Sequence, residues 1–267
     1  MIKDITLGQY FPGDTVAHRL DPRTKLILVI VFIVALFLAK GFVGYGLMIV
    51  VVAAAVAISH VSLKTLVKSL KPLLLILVIT TVLNLFYTDG RVLVRFWIFK
   101  ITVEGIIRAV QMFLRIVLLI SGTFLLTYTT SPIALTDGLE SLLAPMKKLK
   151  LPVHELAMMM SIALRFIPTL VEETDKIMSA QKARGASFDT GKLSERAKAL
   201  LPLLVPLFVS AFRRADELAM AMECRCYHGG EGRTRMKVLQ MHLRDWIALL
   251  LGAALLAGMI LLRSAGL

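Results

Sequence analysis

Cysteine and acidic side chains are both scarce in this 267-residue chain, and each scarcity removes a class of explanation. The two cysteines, Cys224 and Cys226, stand one residue apart in a charged segment expected to be cytosolic. That spacing is too tight for an unstrained disulfide, so a disulfide scaffold is excluded. As metal ligands, Cys224, Cys226 and His228, with His242 as a distant fourth, form a Cys-x-Cys pattern, whereas structural zinc sites want two to four intervening residues. No metal and no cofactor is expected, and small, soft cysteines filling a helix terminus are the simpler reading. The 18 Asp and Glu against 31 Lys and Arg leave a net charge of +13. Without any nucleic-acid module beside it, that charge points to basic membrane loops and anionic lipid. Also missing are a G-x-x-x-x-G-K-[ST] phosphate loop, an H-E-x-x-H and a G-x-S-x-G. ATP chemistry would have to come from another subunit, and no enzyme activity is expected of this chain. His154 and Glu155 adjoin but have no further catalytic company. The first ten residues lack a basic stretch followed by an apolar run, so no cleaved signal peptide is expected.

What is abundant is apolar surface. A hydrophobic content of 57% and a mean hydropathy of +0.78 describe an integral membrane protein. Residues 26 to 59 contain one charge, Lys40, and are too long for one crossing of a hydrocarbon core about 30 Å thick. They divide at Ala39-Lys40-Gly41 into spans at about 26–39 and 42–59. The first is short unless Arg23 and Lys25 snorkel. Further spans are expected at about 72–88, 106–128 and 246–262, five in all. Arg19, Arg23 and Lys25 before the first span, and Lys64, Lys68 and Lys71 before the third, put these ends and the N-terminus in the cytoplasm. The 89–104 loop then lies outside, although its Arg91, Arg95 and Lys100 run against the charge rule.

Residues 129–245 separate the bundle of residues 1–128 from the final span in 246–267, and they are neither polar enough for a soluble domain nor apolar enough for ordinary spans. After a shorter helix near 132–146, they read as two long amphipathic helices, about 153–182 and 193–226. Laying Arg184 on Arg225, an offset of 41 residues, also lays Asp175 on Asp216, Ile177 on Leu218 and Ala180 on Ala221. Pro168, Pro202 and Pro206 fall inside these patterns and are expected to kink the helices rather than break them.

Each long helix ends on an arginine between small residues: Ala183-Arg184-Gly185 and Cys224-Arg225-Cys226. Two readings stand side by side. Gly185 could be a helix-stop residue, with Arg184 offsetting the negative end of the dipole. Alternatively, the small neighbours let a partner's surface close around the planar guanidinium, and the recurrence makes a pair of docking plugs. Met158, Met159 and Met160 supply lipid or core packing singly, and collectively a surface able to repack against several partners. Arg108 and Arg115 lie within the fourth span, where only Arg115 is deep enough to need a partner.

Taken with Leu20-Asp21-Pro22-Arg23-Thr24-Lys25-Leu26, Leu164-Arg165-Phe166-Ile167-Pro168 and Gly232-Arg233-Thr234-Arg235, these arginine motifs resemble the transmembrane T component of energy-coupling factor transporters. The resemblance covers nearly the whole chain. It implies an all-α integral membrane protein, with about five transmembrane helices plus long kinked amphipathic cytoplasmic coupling helices. It implies as partners two ATP-binding cassette ATPases and a membrane S component that captures a vitamin or other micronutrient, in a bacterial or archaeal cell membrane. Carried over residue by residue, Ala183, Arg184, Gly185, Cys224, Arg225 and Cys226 would enter grooves on the ATPases. Apolar positions on the same helices, Met158, Met159, Leu164, Leu204 and Phe208, would hold the S component. The second motif departs from Ala-Arg-Gly by placing cysteines at both flanks. The rival class is a stand-alone secondary transporter or channel with Arg108 and Arg115 along its path, and it calls for inverted repeats at mid-membrane.

Overall fold

The computed structural model describes residues 10–96, 99–150, 152–186, 188, 193–230, 232, 234, 236 and 238–265. The fold is all-α and membrane-type, and the chain forms two compact units, one of Gly8–Ser141 with Leu239–Leu267, the other centred on Leu142–Val238.

In the first unit, a short α1 (Val16–Arg19) leads into α2 (Pro22–Leu38), α3 (Phe42–Ser59), α4 (Leu63–Leu70) and α5 (Leu74–Tyr87). Two antiparallel strands, β1 (Val92–Phe96) and β2 (Phe99–Thr102), precede α6 (Val103–Thr129) and α7 (Pro132–Leu143), and α10 (Leu243–Ser264) completes the unit. Helix starts follow the chemistry of their caps. Asp21 accepts the Arg23 N–H at 2.9 Å with Pro22 in the first turn, where no donor is lost. Thr102 accepts the Gly105 N–H at 3.0 Å to open α6 and donates to the Thr88 carbonyl at 2.8 Å. The core gathers Phe32, Leu36, Tyr45, Met48, Leu118 and Met259 from α2, α3, α6 and α10. Gly138 lets α7 close on the start of α2, since a Cβ there would stand 2.9 Å from Pro22 Cβ.

The turn at Ala39-Lys40-Gly41, the helix covering 106–128 and the final helix agree with the sequence pattern. Three features differ. The 89–104 loop holds the two-stranded hairpin, the one departure from helix among the described residues. The expected span at 72–88 begins earlier, because a tight turn at Lys71–Leu73 joins α4 to α5 and carries Lys64, Lys68 and Lys71 on the helical run. Five helical segments are long and apolar enough to cross a membrane: Phe42–Ser59, Leu63–Tyr87, Val103–Thr129, Val153–Ala183 and Leu243–Ser264. The number matches the sequence expectation, but the set includes the first long helix of the second unit and omits α2, at 17 residues.

The second unit is built on α8 (Val153–Ala183) and α9 (Leu193–Glu223), 31 residues each. Pro168 stands inside α8, and Pro202 and Pro206 inside α9, without ending either helix. The shorter helix expected to reach 146 stops at Leu143 and tightens into a 3-10 turn over Ala144–Leu149, where Pro145 and the left-handed Lys150 (φ 59°) end it.

Candidate functional site: two arginine-bearing helix ends

The C-terminus of a helix leaves its last carbonyls without intrahelical donors, and a left-handed residue just beyond lets the chain turn back to satisfy them. At the end of α8, Gly185 takes φ +88°. Its N–H bonds the Lys182 carbonyl at 3.0 Å, and the Ala186 N–H bonds the Gln181 carbonyl at 3.0 Å. At the end of α9, Cys226 takes φ 54°, its N–H bonds the Glu223 carbonyl at 2.8 Å, and the Tyr227 N–H bonds the Met222 carbonyl at 3.0 Å. These are two copies of the Schellman motif, bond for bond, 41 residues apart. Arg184 and Arg225 occupy the same position in each, the residue before the left-handed one. Both are exposed, as are Ala183, Gly185, Cys224 and Cys226, and among the described residues neither guanidinium has an ion-pair partner. The helix-stop reading holds at both ends. The same cap leaves each arginine exposed to its surroundings.

An ion pair joins the two helices between their arginine-bearing ends. Arg214 donates to the Glu173 carboxylate at 3.0 Å, and these residues are also 41 apart, hence equivalent in the repeat. From Glu173 to Arg184 and from Arg214 to Arg225 the chain advances eleven residues, about 16 Å of helix. Early α8 meets late α9: the Tyr227 hydroxyl donates to Met158 Sδ at 3.1 Å and lies 3.4 Å from His154 Nε2. The two helices thus run in opposite directions past each other and carry their arginines to opposite ends of the pair.

The apolar positions separate into two groups. Met158 is half-buried under Tyr227, and Leu164 is half-buried too, whereas Met159, Leu204 and Phe208 are open. On α9 the open residues form a stripe at three- and four-residue spacing: Leu201, Leu204, Val205, Phe208 and Phe212, each at least 45% exposed. A groove of about 310 Å3 runs between the helices, lined by Ile162, Phe166, Ala211, Ala215, Leu218 and Met222 among others. No cluster of three or more metal-ligating side chains occurs among the described residues.

In the first unit the motif around Asp21 has a structural task that its sequence does not declare. Lys25 does not snorkel. It is 7% exposed, and its Nζ donates to the carbonyls of Thr129 at 2.9 Å and His18 at 3.3 Å and to Thr130 Oγ1 at 3.0 Å. Asp245, 1% exposed, accepts the Asp21 N–H at 2.8 Å and the His242 N–H at 2.9 Å. The Arg23 guanidinium donates to the Leu239 carbonyl at 3.1 Å. These bonds tie the starts of α2 and α10 to the end of α6. Asp245 was the missed member. Its only sequence signal was an acid in the first turn of the last helix, as ordinary helix-start chemistry would place one.

Arg115 is held, as its depth required. Its guanidinium donates to the Ala39 carbonyl at 3.3 Å and lies 5.5 Å from the Phe37 ring and 5.9 Å from the Tyr45 ring. Glu104, in the first turn of α6, accepts the Arg91 N–H at 2.7 Å.

The fold and these ends define a class: an all-α, multi-pass membrane protein that carries a paired, arginine-tipped helical device. A family model described as "Cobalt transport protein", CbiQ, matches residues 13–236. The energy-coupling factor transporter transmembrane protein EcfT of Thermosediminibacter oceani is 55% identical over 262 residues, covering 98% of this chain and 99% of the relative. The EcfT of Clostridium kluyveri is 55% identical over 265 residues, covering 98% of each chain, and that of Bacillus subtilis 50% identical over 260 residues, covering 96% and 98%. The chain belongs to the EcfT family and is a transmembrane component of an energy-coupling factor transporter.

Proposed function

We propose that this protein is the scaffold through which two cytoplasmic ATPases drive uptake of a vitamin or other micronutrient captured by a separate membrane S component. The observation that carries the reading is the duplicated cap. Two exposed guanidiniums, each framed by small residues, stand at the same point of two equivalent helix ends and face opposite directions along one helix pair. One such end is a capping accident; two suit a pair of ATPases. Each planar fork can hold carboxylates or backbone carbonyls in a groove of its ATPase. The open stripe of α9, with Leu204 and Phe208, and the exposed Met159 of α8 form the face that the S component covers, with Leu164 and Met158 behind it. A contiguous apolar face of this kind suits partner contact or lipid. Closure of the ATPases on ATP displaces the two ends, and the Glu173–Arg214 tie makes α8 and α9 respond as one lever.

In this arrangement the N-terminus and residues 129–245 face the cytoplasm, α2 crosses the membrane as the first of five spans, and α8 lies along the membrane surface. Its apolar first half gives α8 the composition of a crossing helix, while Glu172, Glu173, Asp175, Lys176 and Lys182 in the second half oppose full insertion. The rival channel reading loses one of its two path residues, since Arg115 is engaged by a carbonyl and two rings.

The test is purification of the tagged protein from native membranes with identification of its companions, followed by reconstitution. Two ATPase subunits and a small membrane protein should co-purify, and uptake in liposomes should need all of them and ATP. Transport by the lone chain would overturn the proposal.

A further inference from the structure

Within the first unit, α1, α2, α3, α6 and α10 line an open-sided cavity of about 450 Å3 whose lining is almost wholly apolar, including Leu28, Val52, Leu125, Ala248 and Leu251. Its few polar neighbours are not scattered. Lys25, Ser59, Thr129 and Arg244 lie at the start of α2, the end of α3, the end of α6 and the start of α10, which is one and the same end of the bundle. From there to Phe32, Val51, Gly122 and Leu251 each helix advances seven or eight residues, about 10 to 12 Å. Phe32 closes the inner end because Gly122 makes room for it: a Cβ on Gly122 would stand 2.5 Å from the ring.

The depth and the apolar lining select the occupant. One leaflet of hydrocarbon is about 15 Å deep, so the cavity spans most of a leaflet from its polar edge. A single extended hydrocarbon chain fits. The charges at the mouth select its head group. Lys25 is already spent on three acceptors, and Asp21 and Asp245 accept backbone N–H groups. Arg19 leans toward Asp14 at 3.9 Å. Arg244 is exposed and, among the described residues, makes no ion pair. A guanidinium at the edge of an apolar cleft complements a phosphate ester that carries an acyl chain.

We propose that this cavity is a binding site for one acyl chain of an anionic glycerophospholipid, with its phosphate at Arg244. The bound chain completes the packing of α2 against α3, α6 and α10 at the polar edge of the bundle. The site does not depend on the transport reading, and its test does not use transport.

The test is native mass spectrometry of the full-length chain, purified with its companions from nanodiscs of equal phosphatidylglycerol and phosphatidylcholine. The wild-type protein should retain one phosphatidylglycerol. Ala248→Phe and Ala55→Phe, which fill the cavity from opposite walls, should each lose it while thermal unfolding shows them folded. Arg244→Gln should keep a lipid but lose head-group preference roughly fivefold, the scale of one basic residue at an anionic surface. Equal retention in either folded cavity-filling variant would overturn the proposal. So would a photocrosslinker in place of Leu251 that labels a partner polypeptide instead of lipid.

Discussion

The ends of α8 and α9 make the same pair of capping hydrogen bonds with different residues, and the difference separates what the cap requires from what it tolerates. At the first end a glycine adopts the left-handed turn, where the absence of a Cβ removes the steric penalty. At the second a cysteine adopts it at φ 54°, against that penalty. The arginine, the bond pattern and the small flanks are common to both; the glycine is not. Cys226 bears that penalty while the arginine keeps the same place in the cap, and on the docking role proposed above that place is what matters.

The largest effect that would break this parity is charge reversal. Arg184→Glu or Arg225→Glu should weaken ATPase binding by about 2 to 5 kcal/mol at the altered end, because the partner groove loses its cation and gains a repelled anion. Lysine at either position should rescue only part, for it keeps the charge and loses the fork. Binding of purified ATPase to the scaffold in detergent, followed by titration, measures both.

Next in size are the caps. Gly185→Ala should destabilise the second unit by about 1 to 2 kcal/mol, and Cys226→Gly should stabilise it by a similar amount, since the Cβ penalty is imposed in one case and relieved in the other. Denaturant unfolding of the two variants would show shifts of opposite sign. Glu173→Arg should cost about 1 kcal/mol or less, the scale of a partly exposed ion pair, and adding Arg214→Glu should recover most of it. A double-mutant cycle on unfolding midpoints reads that coupling. Smallest of all, Cys224→Ala, which makes the second end match Ala183 at the first, should change ATPase affinity by less than about 0.5 kcal/mol.

Much of this was legible in residue patterns, and what escaped has a common cause. The long helices, their arginine ends and the 41-residue offset are local or periodic features, and a linear sequence displays such features directly. The match between Arg184 and Arg225 extends to their backbone bonds because cap geometry is itself local. The Glu173–Arg214 tie, the burial of Lys25 and the role of Asp245 depend on which helix lies beside which. Lys25 was expected to reach for water because a lysine beside an apolar run usually does. Three acceptors from the α1 turn and the end of α6, far away in sequence, hold it inside instead. The extra turns before α5 were masked by Lys64, Lys68 and Lys71, whose charges read as a loop although Ser62 opens a helix there by accepting the Thr65 N–H.

The central claim is that the two helix ends are separate and equivalent docking points. The most direct test is the number of ATPase subunits bound per scaffold, counted by mass under non-dissociating conditions. The account predicts two for the wild-type chain, one for Arg184→Glu or Arg225→Glu alone, and none for the double variant. Two subunits retained by the folded double variant would contradict it.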